Sequence, residues 1–346
     1  MKQRSVRTTR LYALFSAAAG LLLGIARILI SRTGMDPGIE MYRLDCTAAD
    51  FLHIALIVCG ILAFSVMLPA RRNAPVIRCE KPSKPSMYFS LFTAFMLLAY
   101  DLILVLHLAR DDFAGIGPLI GRTPLSMTGQ ATVTLASAIF LSLLILAAIP
   151  ASVFYFKCAY VEQGKEGSFA GFSTAPVVWF ILYALHNYFD PAVAFNSPVK
   201  VLRLVVILAF MLYAIQEARF IVGAPIPYLY YAAADLALLL GFMISVSDAV
   251  LYAMNIISLP EGYLMPALAF FLTLYVLARV LSAEEAAVSD AVPAESAEAE
   301  VSEADIPAAD TSAADTSPAD TSEEDTSEVD SPAAETEEKS DSAPNT

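Results

Sequence analysis

Residues 228–251 read YLYYAAADLALLLGFMISVSDAVL, and this stretch decides the fold class. It holds 24 residues with only two charges, Asp235 and Asp248, and no proline. As a helix rising about 1.5 Å per residue it would be about 36 Å long, enough to cross the roughly 30 Å hydrocarbon core of a bilayer. A strand does not need such length, and a soluble core helix would carry a charged face.

Working outward, seven further runs of the same kind appear. They cover residues 11–30, 51–70, 87–107, 131–154, 174–190, 201–221 and 263–281. The eight runs together predict an all-α, polytopic integral membrane bundle of about eight transmembrane helices. Pro176, Pro227 and Pro266 stand near the starts of their runs, where proline costs a helix nothing. Pro150 falls late in the fourth run, where it predicts a kink. The basic N-terminus (Lys2, Arg4, Arg7, Arg10) resembles a secretory leader, but the apolar run that follows is too long, so a retained first helix is expected.

Composition agrees. Over 346 residues, 57% are hydrophobic and 16% charged, against about a quarter charged in a soluble domain. The net charge of −14 is unevenly spread. Residues 283–346 carry 20 Asp and Glu against one Lys, whereas residues 1–282 carry 20 Lys and Arg against 15 Asp and Glu. The chain therefore divides into an apolar, mildly basic segment, 1–282, and an acidic segment, 283–346. In the latter, Asp-Thr-Ser recurs at Asp310, Asp315, Asp320 and Asp325 with no aromatic residue. Such a segment buries too little apolar surface to offset the entropy of ordering, so a disordered, low-complexity tail is expected.

With the N-terminus inside, the inner segments carry 13 Lys and Arg and the outer ones six. The positive-inside bias then predicts both termini in the cytoplasm of a bacterial-type plasma membrane. The lipid bilayer is the expected partner, with a basic cytoplasmic protein as a candidate partner for the acidic tail. Nothing points to a nucleic acid.

Charged residues inside a span cost roughly 2.5–3.5 kcal/mol at the helix centre, so they mark chemistry or pairing. Trp179, Tyr183, His186, Asn187 and Asp190 fall on one helical face of the fifth run. Such a stripe fits either the lining of a cavity that opens outward or an aromatic belt at the interface. Asp101 and Asp235 sit deeper, in the similar strings Ala99-Tyr100-Asp101-Leu102 and Ala233-Ala234-Asp235-Leu236 of the third and seventh runs; these are equivalent places in a 4+4 duplication, but a leucine-rich match also arises by chance and the two lie at different distances from their run starts. His53, His107, His186, Asp248, Arg27 and Arg203 belong to the outer half. The candidate cavity-lining set is therefore Asp101, Tyr183, His186, Asn187, Arg203 and Asp235. Gly20 and Gly24 form a GxxxG pattern, with Ser16 and Arg27 on the same side, which predicts close helix packing.

The four cysteines, Cys46, Cys59, Cys79 and Cys158, make no CxxC pair and have no His at ligand spacing, so neither metal nor disulfide framework is expected. Phosphate-loop, HExxH and GxSxG motifs are absent. No catalytic residue and no cofactor is assigned. The leading functional expectation is a permease-like carrier of a small solute. The alternative is a non-catalytic signalling or scaffold subunit that displays its tail, and a third reading is an intramembrane enzyme acting on a lipid-linked substrate.

Overall fold

The computed structural model describes residues 2–37, 40–66, 77–78, 83–109, 129–160, 170–189, 197–222, 226–259, 262–282 and 284–285. The tail beyond residue 285, Cys79, Asp190 and the side chain of His107 lie outside the described residues. All described elements belong to one compact unit, Met1–Asp290.

Among the described residues there are eight long helices, one for each apolar run: α1 Lys2–Gly34, α2 Thr47–Ser65, α3 Lys84–His107, α4 Gly129–Tyr160, α5 Ala175–Phe189, α6 Pro198–Ile221, α7 Pro227–Ala253 and α8 Leu264–Ser282. Seven are long and apolar enough to span a bilayer by themselves. The exception is α5, whose 15 residues reach only about 22 Å. A 3-10 turn, Ala170–Phe172, precedes α5. The chain is thus a multi-pass helical membrane protein.

Local signals fix several helix starts. Ser83 accepts from the Ser86 amide at 3.3 Å and Ser197 from the Val199 amide at 3.2 Å, each followed by a proline in the first turn. Pro227 opens α7 in the same way. Two short antiparallel ladders complete the unit. One joins β1 (Met35–Asp36) to β2 (Met41–Tyr42), and the other joins β3 (Ile77–Arg78) to β4 (Glu284–Glu285). The second ladder means that a β-pair begins just inside the segment that composition assigns to the tail.

Packing gives each helix a place. α3, α4, α5, α6, α7 and α8 follow one another round a closed ring, since α8 packs back onto α3. α1 and α2 pack on the outside of α7. Accordingly 67% of the most apolar window of α7 is buried, against 17% of that of α2. With lipid as apolar as leucine, the ring is held by close packing and interhelical hydrogen bonds. Ser90 Oγ donates to the Tyr155 carbonyl at 2.5 Å and Ser152 Oγ to the Ala94 carbonyl at 3.2 Å, which pins α3 against α4 in antiparallel register.

The two glycines of the GxxxG pattern have a single purpose in this bundle. A Cβ on Gly20 would overlap the Leu239 carbonyl oxygen, and one on Gly24 would lie 3.0 Å from the Met243 carbonyl oxygen. The α1 backbone therefore rests on the α7 backbone. Both matches advance by four residues, so α1 and α7 run in the same direction. Consecutive helices alternate: α6 and α7 meet through Arg203 with Asp248 near one end and Tyr213 with Tyr230 near the other. The start of α1 and the end of α8 consequently lie at one end of the bundle, called here the terminal end. The β1–β2 hairpin lies at the opposite, hairpin end.

Candidate functional site

Charge inside the ring is concentrated in two places. At the hairpin end, Asp248 of α7 is held between two arginines. Arg27 Nη1 of α1 donates to its Oδ1 at 2.6 Å and to Ser247 Oγ at 2.5 Å, and Arg203 Nε of α6 approaches its Oδ2 at 3.4 Å. All three side chains are less than a tenth exposed. Arg203 Nη2 also donates to the Ser258 carbonyl at 3.3 Å. Above this group sits Glu40, in the β1–β2 turn, in a left-handed conformation with φ of 54°. That conformation costs a non-glycine residue roughly 1–2 kcal/mol. It is held by its neighbours: Glu40 Oε1 accepts from the Ser258 amide and hydroxyl, and its carbonyl accepts from Ser197 Oγ at 3.2 Å. The hairpin is thereby strapped to the start of α6 and to the α7–α8 connection.

At the terminal end, Glu217 of α6 is 1% exposed and fully engaged. Its Oε1 accepts from Arg279 Nη2 at 2.6 Å, Arg279 Nε at 3.0 Å and Tyr275 OH at 3.2 Å, and its Oε2 from Tyr213 OH at 3.1 Å. Tyr213 and Tyr230 share a further hydrogen bond at 3.2 Å, and the Arg279 guanidinium lies over the Phe220 ring at 5.8 Å. A buried carboxylate with this many donors has its lone pairs satisfied, which is the condition for an ion pair to be tolerated away from water.

Between the two ends lies a central cavity to which all six ring helices contribute. Its wall is largely apolar and includes Leu97, Tyr155, Trp179 and Ile207, with Thr93, Arg203 and Asp248 as its other polar residues. The indole N–H of Trp179, one of these lining residues, is buried without a partner. The cavity volume is only about 30 Å³, and since a water needs about 10–15 Å³ the cavity admits about two or three.

The residues named from sequence are distributed as follows. Arg203 lines the central cavity, as does Trp179 from the α5 stripe. Tyr183 is buried, stacked on Trp179 at 5.2 Å and edge-on to Tyr100 of α3 at 6.0 Å. Asp101 follows Tyr100 and is 9% exposed, with Oδ1 unpartnered. His186 and Asn187 continue the α5 stripe at intermediate burial, with Nδ1 and Nδ2 respectively buried and unpartnered. Asp235 is 1% exposed and neither carboxyl oxygen has a partner. It stands four residues before Leu239, on the face of α7 that meets α1, where the register sets it level with Ser16. Nine residues separate it from the cavity-lining Ile244, which turns it to the far side of α7.

The residues that organise the charge are Asp248, Arg27, Glu40, Glu217 and Arg279, none of which is in the set chosen from sequence. Among the described residues no group of three or more His, Cys, Asp and Glu is arranged to hold a metal ion. No known protein family, curated protein or solved structure matches this chain.

Proposed function

We propose that the bundle is a permease-like carrier of a small solute, with the path running through the six-helix ring. The observation that supports this most is the central cavity, lined by Trp179, whose indole N–H has no partner, and by the Arg203–Asp248 pair, within a largely apolar wall. Pockets of this make-up, apolar with a few convergent polar groups, are the usual form of ligand sites. The solute class that matches is small and partly apolar, with an acceptor for the indole and a charged or dipolar group for the ion pair. At about 30 Å³ the cavity is too small to hold such a solute in this conformation. Carriage then requires the ring to open toward each side in turn. Thiol accessibility tests this in membranes, on a chain whose native cysteines are replaced by alanine and which carries Ile207→Cys or Leu97→Cys. The carrier reading expects labelling by a membrane-impermeant maleimide from each side. Protection of both positions from both sides refutes it.

The narrowness of the cavity favours one rival, a static scaffold that displays the acidic segment to a basic cytoplasmic protein. That reading expects both positions protected, and loss of function when residues 291–346 alone are removed. In either case the terminal end is assigned to the cytoplasm, because the 13-to-six bias of Lys and Arg lies with it.

A further inference from the structure

Of the buried acids described, Asp235 alone has both carboxyl oxygens buried and without a hydrogen-bond partner. Asp248 and Glu217 are each met by an arginine, and Glu40 by Ser258. Asp235 is 1% exposed and lies on the far side of α7 from the central cavity, so the proposed solute path makes no use of it.

Its neighbours on α7 fix its place. Leu239, four residues on, meets the α1 backbone at Gly20, and Phe242, seven residues on, packs edge-on to Phe270 of α8 at 6.1 Å. Residues four and seven apart share a helical face, so Asp235 sits in the seam where α1 and α8 adjoin on α7. Level with it on α1 stands Ser16, four residues before Gly20, whose hydroxyl oxygen is likewise buried and unpartnered. The charged and titratable groups of the packed helices are committed elsewhere or carry no positive charge. Arg279 and Tyr275 of α8 and Tyr213 of α6 are all bonded to Glu217. On α1, Tyr12 is one turn from Ser16, and Arg10 is about 9 Å from it toward the terminal end. Arg10 has its interactions, but neither Asp235 oxygen is among its partners. Tyr231 stands one turn before Asp235 on α7, and α2 brings Cys59 toward Leu239.

An ionised carboxylate with neither a cation nor a donor is far costlier to bury than a neutral one, and such a group takes up a proton instead. A hard metal cation takes about six oxygen ligands or more, whereas a proton needs the carboxyl alone. We propose that Asp235 is a proton-binding site, loaded while α1 is seated on α7 and open to exchange with water only when α1 parts from the ring. The seated contact is backbone on backbone at Gly20, so no side-chain motion opens a path and the helix itself has to move. The opposite side of α1, with Leu14, Leu22, Ile25 and Leu29, is exposed, which leaves the helix room to do so. Seating of α1 and binding of one proton are thereby linked. The site is separate from the central cavity, so it and the carrier reading stand or fall independently.

Thermal unfolding of the full chain in detergent, from about pH 5 to about pH 10, compares the wild type with Asp235→Asn. Unfolding exposes the carboxyl, which then ionises above roughly pH 4. The native state therefore binds one proton more than the unfolded state, and stability falls as pH rises until the native carboxyl ionises too. Each pH unit in that window lowers the folded-to-unfolded ratio about ten-fold, or the Tm by about 3–5 °C, relative to the variant, whose amide stays neutral throughout. Infrared difference spectra over the same range should show the wild type losing a protonated-carboxyl band that the variant lacks. Asp235→Ala, which needs no hydrogen-bond partner, repeats both measurements where Asp235→Asn does not accumulate. Parallel pH slopes in the wild type and a folded variant, or identical carboxyl bands, mean that Asp235 holds no proton of its own and overturn the proposal. A wild-type Tm raised by sodium chloride over choline chloride at equal ionic strength, with the variant unmoved, assigns the seam to a metal cation and overturns it too.

Discussion

Replacing Gly20 by alanine adds one methyl group at the place where two helix backbones touch. The new Cβ overlaps the Leu239 carbonyl oxygen, which is backbone and cannot swing aside. α1 must therefore move outward over its whole contact with α7. Overpacking of this kind costs about 1–3 kcal/mol. Alanine also gains up to about 1 kcal/mol over glycine in a helix, which partly hides the effect. Gly60→Ala supplies the correction, since that glycine is also mid-helix but has open space around it. The difference between the two variants isolates the clash and is expected to be about 1–3 kcal/mol, or roughly 2–12 °C in Tm at about 2–4 °C per kcal/mol. Gly24→Ala, with its Cβ 3.0 Å from the Met243 oxygen, falls between them. Thermal unfolding in detergent micelles, followed by size-exclusion of the soluble fraction, reads all three. If Gly20→Ala is as stable as Gly60→Ala, α1 does not lie on α7 and the packing order described above is wrong.

Further outcomes follow from the ion pairs and from the acidic segment. Asp248→Asn leaves two buried arginines sharing no carboxylate and is expected to cost about 3–5 kcal/mol, while Arg27→Gln costs less because Arg203 still faces Asp248; equal losses in thermal unfolding would contradict the three-membered arrangement. Glu217→Gln and Arg279→Gln should each destabilise by a similar amount, and the double variant should recover part of the loss because neither charge is then unpaired; strictly additive losses would show the two residues to be independent. Truncation after Asp290 keeps the β3–β4 ladder and removes only the second unit, so the Tm of the bundle should not change; a fall of several degrees would show that residues 291–346 support it.

Hydropathy made the eight helices legible because a bilayer demands long apolar runs, and this held even for α5, where the run at 174–190 became a helix at Ala175–Phe189. Run lengths understate α1 and α4, which extend to Lys2–Gly34 and Gly129–Tyr160. Hydropathy sees only the lipid-soluble part of a helix, and both continue beyond it. GxxxG announced a close approach in α1 but not its partner. α7 lies more than 200 residues away, and nothing in its sequence marks the carbonyls of Leu239 and Met243 as the receiving surface. The same difficulty limited the site. Each buried charge can be recognised singly, but the Arg27–Asp248 pair joins residues 221 apart and depends on the register of packed helices, which composition does not encode. Glu217 and Arg279 offered a weak signal, as opposite charges near the same end of two spans, and the tyrosines around them gave none. Trp179 and Tyr183 were visible as a stripe because helical periodicity alone brings them together.

The central structural claim is that α5, though short, carries the chain across, so that α1 and α7 run parallel and the helices cross eight times. Accessibility of two introduced thiols in intact and permeabilised cells tests it most directly, one at Ser5→Cys before the first span and one at Ser342→Cys near the C-terminus. Both should resist a membrane-impermeant maleimide in intact cells and react once the membrane is opened. Labelling of one and protection of the other in intact cells would mean an odd number of crossings and would contradict the account.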